Sequence, residues 1–142
     1  MKTSAKPKTT GASSFSETLP CRPEAARRAR LLVSTALTTW GLNSCTDAGT
    51  LIVSELIANA VTHTSCHLAR VTIARTGDGA VRIAVADTSK LVPAVTVPTS
   101  DSVSGRGLSL VAALSDRWGY DLHRSSKVVW AELRVMPGRV EQ

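Results

Sequence analysis

Glu55-Leu56-Ile57-Ala58-Asn59 is the stretch of sequence that decides the fold. It lies in a segment whose apolar residues repeat at helical spacing, so we predict a helix that begins near residues 44–47 and ends near Thr62. Glu55 and Asn59 are four residues apart, which places both side chains on one face of this helix, at the margin of its apolar stripe. A carboxamide oxygen suits Mg²⁺, and a neighbouring carboxylate can orient or deprotonate a hydroxyl group. A surface glutamate and a helical asparagine with local hydrogen bonds would also fit this pair.

Asp87 is the second feature, at the end of an alternating segment. The apolar period changes to two after the helix, which predicts a β-hairpin around the turn Gly77-Asp78-Gly79. Asp87 falls on the apolar face of the second strand, so its carboxylate is predicted to point toward the core, where an unpaired charge is costly. Either the exocyclic amine of adenine or a backbone turn at Thr88 and Ser89 would supply the donor that it needs. The alternating apolar residues are Val71, Ile73, Val81, Ile83 and Val85.

Gly105-Arg106-Gly107-Leu108 is the third feature, at the start of another short helical pattern. Glycines let the backbone approach a ligand, the N–H groups of a first helical turn bind anions, and Arg106 can add a phosphate contact. A loop-to-helix joint with a solvent-facing arginine would have the same residues. The P-loop signature and the six-position dinucleotide fingerprint are absent from the sequence, which excludes those two phosphate sites.

In this order, the three features predict one nucleotide pocket with a carboxamide for a metal, a carboxylate for a base and backbone amides for phosphates. Residues 88–104, between the second and third features, contain two prolines and no clean period, which indicates a long loop of the kind that forms lids. The remaining predicted elements are an edge strand at residues 15–19, a helix from Pro23 to about Gly41, and two strands of alternating apolar residues around residues 118–122 and 129–135, which end at a sheet edge.

Length and composition indicate the class of protein to which such a pocket would belong. The 142 residues suffice for one domain, and the 43% hydrophobic and 20% charged content is typical of globular proteins. Residues 1–14 carry three lysines and lack the apolar segment of a secretory signal, so we expect a disordered basic tail ahead of a domain over residues 15–142 in a cytoplasmic protein without membrane contact. The three cysteines are odd in number and widely spaced, and we expect free thiols.

The net charge of +6 invites a nucleic-acid hypothesis. Three of the positive charges lie in the tail, and only one Phe and one Tyr are present to stack on bases. We therefore do not expect nucleic-acid binding. A solvated helix face or a surface for an acidic protein partner explains the charges at the start of the first helix, which are Arg22, Arg27, Arg28 and Arg30.

These residues carry a resemblance to the ATP-binding domain of the GHKL, or Bergerat-fold, superfamily, which includes DNA gyrase and the histidine kinases. Within it the sequence most resembles the small actinobacterial regulators of the anti-sigma-factor serine/threonine kinase type, over roughly residues 15–135. Glu55 and Asn59 match the N box, residues 87–93 the first glycine-box region, and Gly105-Arg106-Gly107-Leu108 the second. Further matches are Asp116-Arg117-Trp118-Gly119 and Val129-Trp130-Ala131-Glu132-Leu133.

The resemblance implies a two-layer α/β sandwich whose mixed, mostly antiparallel sheet carries helices on one face. It implies that ATP lies between the helices and the lid. By matched position, Asn59 would coordinate Mg²⁺, Glu55 would act as general base or water positioner, and Asp87 would bind the adenine amine. Ser89 would contribute to the same nucleotide site, and Gly105, Arg106, Gly107 and Leu108 would hold the phosphates.

The resemblance also implies partners: a sigma factor that the protein sequesters, an anti-sigma-factor antagonist that it phosphorylates on serine or threonine, and a homodimer. A non-catalytic interaction module with the same fold is the alternative. Two segments depart from the superfamily pattern: Asp87-Thr88-Ser89-Lys90-Leu91 replaces Asp-x-Gly-x-Gly, and Ser125-Ser126-Lys127-Val128 lacks the usual Gly and Thr. No histidine precedes Glu55, which argues against a sensor histidine kinase.

Overall fold

The structure is a computed structural model that describes residues 13–63, 67–77, 79–87, 103–124 and 126–135. Along the chain, these residues form one β-strand, two α-helices with a 3₁₀ turn at Asn43–Cys45 between them, two strands, a third helix and two final strands. The strands are β1 (Ser14–Pro20), β2 (Leu68–Arg75), β3 (Ala80–Asp87), β4 (Arg117–His123) and β5 (Ser126–Arg134), and the helices are α1 (Ala25–Thr39), α2 (Thr46–His63) and α3 (Val103–Leu114).

The strands form one five-stranded sheet in the order β1-β2-β3-β5-β4. All four pairings within the described residues are antiparallel, where a mixed, mostly antiparallel sheet was predicted. The final hairpin inserts β5 beside β3, so that β1 and β4 are the edge strands. The predicted α/β sandwich is confirmed.

The helices cover one face of the sheet, because every second residue of the central strands is apolar and buried. The pattern is clearest in β3 and β5, where buried and half-buried residues alternate along the strand. The helix layer contributes a matching apolar set to a single core. Its largest fully buried side chains are Leu37, Ile52, Leu56, Ile57, Ile73 and Ile83.

Gly49 sets how closely α1 and α2 approach each other. A Cβ at this position would lie 3.1 Å from Leu37 Cδ1 and 3.2 Å from Val33 Cγ1, tighter than ordinary van der Waals contact. The absent side chain therefore lets two residues of α1 pack directly on the backbone of α2.

The end of α1 agrees with the predicted stop near Gly41. Gly41 adopts a left-handed φ of 74°, its N–H donates to the carbonyl of Thr38, and the N–H of Leu42 donates to the carbonyl of Leu37. A glycine in this conformation lets the chain turn back over the helix end and satisfy carbonyls that the helix leaves open.

The cysteines differ from the expectation of free thiols. Cys21, at the connection between β1 and α1, is disulfide-bonded. Cys45 is a free, half-buried thiol, and burial raises its pKa. An odd count and wide spacing did not reveal this bond, because chain folding brings distant cysteines together irrespective of their separation in sequence.

Most of the predicted basic tail lies outside the described residues, which begin at Ser13, and Ser14 already pairs with Ala74 in the sheet. Within the described part of the chain, none of the helices combines the length and apolarity required to cross a bilayer.

Candidate functional site

Three polar side chains are buried among the described residues, and they belong to three elements that meet at one end of the sheet. They are Asn59 on α2 with 8% exposure, Asp87 at the end of β3 with 1%, and Lys127 near the start of β5 with 8%. Buried polar groups are costly unless they are satisfied, so their concentration in one region marks a candidate site.

Asp87 faces the helix layer, as the alternation predicted. It ends the inward-facing series of β3 and is paired in register with Ala69 of β2 and Lys127 of β5. Its Oδ2 atom is buried and accepts no hydrogen bond from the described residues, while the carboxylate attracts the Lys127 ammonium group and has further interactions. The structure thus provides an inward-facing acceptor where the sequence predicted one.

Asn59 lies at the same end of the molecule as Asp87 because of the chain path. It is four residues from the end of α2 at His63, and β2 begins soon afterwards at Leu68, beside the strand end that carries Asp87. Glu55, one turn earlier on α2, is half-buried. Placement of the pair at the margin of the apolar face is therefore confirmed, with the amide on the inner side and the carboxylate nearer to solvent.

The third feature lies in the first turns of α3. Helix α3 already begins at Val103, so Gly105, Arg106 and Gly107 are helical in backbone, and their side-chain positions lie outside the described set. The C-terminal end of α3 leads into β4 at the end of the sheet opposite Asp87. Gly105, Arg106 and Gly107 are at the other end of α3, away from that connection. Leu108, predicted as a ligand contact, is half-buried and packs against the core. Ser89 and the predicted lid lie outside the described residues.

Lys127 is the member of this buried group that lies outside the three sequence features predicted to form the site. Burial lowers the pKa of its ammonium group, and the attraction of Asp87 opposes that shift. The signal was present in the sequence: Lys127 is two residues before Val129, so the alternation of β5 places it on the inner face.

The profile of the family described as the histidine kinase-like ATPase domain matches residues 19–133. The chain belongs to this family. The GHKL resemblance is thereby confirmed, and the buried Asp87 and Asn59 lie in an ATPase domain.

A solved structure shares the fold of this ATPase domain. It is the crystal structure of the RsbU and RsbW domains of Rv1364c from Mycobacterium tuberculosis, with a TM-score of 0.65 and 23% sequence identity. The match covers 85% of this chain and 32% of the solved chain, so the ATPase domain spans about a third of the longer protein. No curated protein sequence matches the chain.

A magnesium site in the ATPase domain would need ligands beyond protein carboxylates. No group of three or more His, Cys, Asp or Glu side chains with metal-binding geometry occurs within the described ranges. Mg²⁺ is often held by one or two protein oxygens together with substrate phosphates, and the Asn59 carboxamide oxygen would suit that arrangement.

Several residues of the segments Asp116–Gly119 and Val129–Leu133 pack together on the opposite face of the sheet. The Trp130 ring lies over Gly119 on the neighbouring strand, where an added Cβ would be only 2.9 Å from Trp130 Cζ2. Glu132 accepts hydrogen bonds from Arg82 Nε at 2.9 Å and from Arg117 Nε at 3.0 Å. We call these five residues the Trp130 cluster. They lie on the face of the sheet that none of the described helices covers, called the helix-free face below, away from the inward-facing Asp87.

A separate groove of about 480 Å³ lies between α1 and the first half of α2. Two arginines and the exposed Leu31 line it, which gives it a basic and partly apolar character. Its lining residues are Arg27, Arg30, Leu31, Ser34 and Thr50.

Proposed function

We propose that this ATPase domain is an ATP-dependent serine/threonine protein kinase of the anti-sigma-factor type, which sequesters a sigma factor and phosphorylates an antagonist protein. The observation that carries the proposal is the convergence of the buried Asn59 and Asp87 at one end of the sheet of a histidine kinase-like ATPase domain. The similarity in fold to a chain that contains an RsbW domain supports the regulatory type.

The nucleotide would be held by groups from three parts of the chain. Asp87 would accept a hydrogen bond from the adenine amine, consistent with the burial and inward orientation of its carboxylate. Gly105, Arg106, Gly107 and Leu108 would hold the phosphates at the N-terminal end of α3, where Arg106 supplies its side chain and the open N–H groups of the first helical turn suit anions. Ser89 would add a contact from the first glycine-box region.

Asn59 would coordinate Mg²⁺ through its carboxamide oxygen. When bound, Mg²⁺ would neutralise charge that develops on the transferred phosphoryl group. Glu55 would take the proton from the serine or threonine hydroxyl of the acceptor protein. Its half-buried position beside the buried Asn59 supports this role, because an incoming protein side chain must be able to reach the base.

The groove between α1 and α2 would receive an acidic protein partner. Arg27 and Arg30 supply positive charge, and Leu31, with 62% exposure, supplies an apolar contact. Complementary charge steers association and selects partners, which suits a regulator that exchanges one protein for another.

Phosphate transfer from radiolabelled ATP to a candidate antagonist protein tests the kinase. We expect label on the antagonist with the unmodified chain. The control Asp47→Asn should also transfer label, because it replaces a carboxylate by an amide, as Glu55→Gln does, but at the exposed start of α2. Glu55→Gln should abolish transfer and retain ATP binding. Binding of ATP by the unmodified chain without any transfer would instead favour the non-catalytic module, to which the altered first glycine box lends support.

Calorimetric titration with Mg·ATP tests the nucleotide site independently of transfer. We expect the unmodified chain to bind and Asp87→Asn to lose affinity, because an amide can present its N–H₂ group rather than an acceptor to the base amine. Equal affinity of the two proteins would contradict the role of Asp87.

A further inference from the structure

Lys127 and Asp87 form a buried pair of opposite charge at the last rung of the β3–β5 ladder. The two residues are directly opposite each other in the antiparallel register, and both face the helix layer. Side chains in such cross-strand positions have Cβ atoms roughly 4.5–5.5 Å apart. The two side chains therefore project from adjacent positions of one inner surface, with exposures of 8% and 1%, and the negative charge of Asp87 acts on the Lys127 ammonium group.

Burial of the Lys127 ammonium group is energetically unfavourable and calls for a structural or functional explanation. Lysine is among the residues least often buried, because desolvation of its charge is costly. That cost is visible here as the burial that lowers the pKa of Lys127, and Asp87 offsets only part of it. Among the described residues, Asp87 supplies the attraction that raises this pKa, and an ammonium group has three donors to offer.

The pair presents an acceptor beside a donor, and the edge of adenine presents the complement. Adenine carries a donor, the exocyclic amine at C6, next to an acceptor, ring nitrogen N1. Guanine carries a carbonyl oxygen at C6 and an N–H group at N1, which is the reverse order. A base that points its C6 substituent at Asp87 would thus be matched by Lys127 only if it is adenine.

We infer that Lys127 is a second base-reading residue of the proposed nucleotide site, donating a hydrogen bond to adenine N1 while Asp87 accepts one from the C6 amine. This inference rests on the proposed ATP-binding function and goes beyond it by assigning base specificity to Lys127. Lys127 would also discriminate against GTP, because its donor would face the N1–H group of guanine. Unmatched buried polar groups are what makes such discrimination strong.

Affinity for a base analogue isolates the contact. In 1-deaza-ATP, C–H replaces ring nitrogen N1, so the analogue keeps the C6 amine but has no acceptor for Lys127. We expect the full chain to bind ATP about tenfold or more tightly than 1-deaza-ATP in calorimetric titrations, since hydrogen bonds to charged groups are the stronger ones. Lys127→Met should bind both nucleotides with equal affinity. Lys127→Arg, which keeps a charged donor, should retain a preference for ATP.

Arg134→Met is the matched control, because it removes a positive charge from the exposed opposite end of the same strand. It should keep the unmodified ratio of affinities. Thermal unfolding of each variant identifies any that fails to fold, and the unmodified chain and Lys127→Arg then decide the matter.

The outcomes are distinct. Equal affinity of the unmodified chain for ATP and 1-deaza-ATP, or an unchanged ratio in a folded Lys127→Met, overturns the role of Lys127 and leaves the ATP site standing. Absence of binding by any adenine nucleotide overturns the proposed function itself.

Discussion

Gly119 shows how one missing side chain organises the helix-free face of the sheet. The Trp130 ring occupies the space that a Cβ of residue 119 would need, and the guanidinium carbon of Arg82 lies 4.1 Å from the ring centroid. The Arg117 guanidinium lies 5.6 Å from the same centroid, and Glu132 holds both arginines. The ring is therefore fixed by contacts on several sides and has little freedom to yield.

Gly119→Ala should consequently destabilise the protein. The new methyl group would meet Trp130 Cζ2 at 2.9 Å, and displacing a ring held by the Trp130 cluster should reduce the free energy of unfolding by about 1–3 kcal/mol. Urea denaturation measures the change. Gly77→Ala is the control, because a Cβ there meets nothing within 4 Å, and it should change the free energy by about 0.5 kcal/mol or less.

Lys127 gives the stability a predictable pH dependence. Because burial lowers its pKa in the folded state from 10.5, the unfolded chain binds more protons between the lowered pKa and 10.5. The contribution of Lys127 to the free energy of unfolding should therefore rise with pH through that window and be complete above 10.5. Urea denaturation of the unmodified chain and of Lys127→Met at several alkaline pH values isolates the contribution as a difference. A difference that is constant with pH would contradict the prediction.

At the scale of elements, α2 connects the core to the candidate site. Its inner side packs on α1, on α3 and on β3 and β5, and the same helix positions Asn59 and Glu55 at the end where Asp87 lies. Packing of the apolar residues therefore fixes the rotation of the helix about its axis, and that rotation decides where the amide and the carboxylate point.

Ile52→Ala tests this packing. Ile52 is fully buried, so loss of its side chain should cost about 2–5 kcal/mol in the free energy of unfolding. The neighbouring Leu51 is 44% exposed, and Leu51→Ala should cost about 0.5 kcal/mol or less. Thermal or urea denaturation compares the two. Similar losses for both variants would mean that α2 is rotated differently from the arrangement described.

Local sequence patterns were sufficient to predict the elements but not their neighbours. The helical period of α2, the alternation of β2 and β3, and the glycine stop of α1 are all written in residues close together in sequence, and the structure confirms them. The insertion of β5 between β3 and β4 depends on pairing between distant segments, which no local period records. The pairing of Lys127 with Asp87 was missed for the same reason: the alternation of β5 indicates only that Lys127 faces inward, and the β3–β5 register brings it opposite Asp87.

At the scale of the whole molecule, the sheet order makes a prediction about backbone protection. Strands β4 and β5 are adjacent in sequence and form one hairpin, yet β5 has partners on both sides and β4 has one. Amides of an interior strand are hydrogen-bonded on both sides of the strand, whereas an edge strand leaves half of its groups without a strand partner. The two strands should thus differ despite their shared turn.

Hydrogen exchange followed by mass spectrometry should show slower exchange for residues 126–134 than for residues 117–123. Peptides that separate the two strands give the comparison directly. Equal protection, or slower exchange in residues 117–123, would contradict the placement of β4 at the edge.

The positions of the three tryptophans have an optical consequence. Trp40 packs against Phe15 near the end of α1, Trp118 pairs in register with Ala131, and Trp130 sits on the helix-free face. None of these indoles pairs with or neighbours Asp87 or Lys127 in the described sheet. Tryptophan fluorescence should therefore change when a protein docks on the helix-free face and should change little when a nucleotide binds. An extrinsic dye or a labelled nucleotide is the appropriate probe of nucleotide binding.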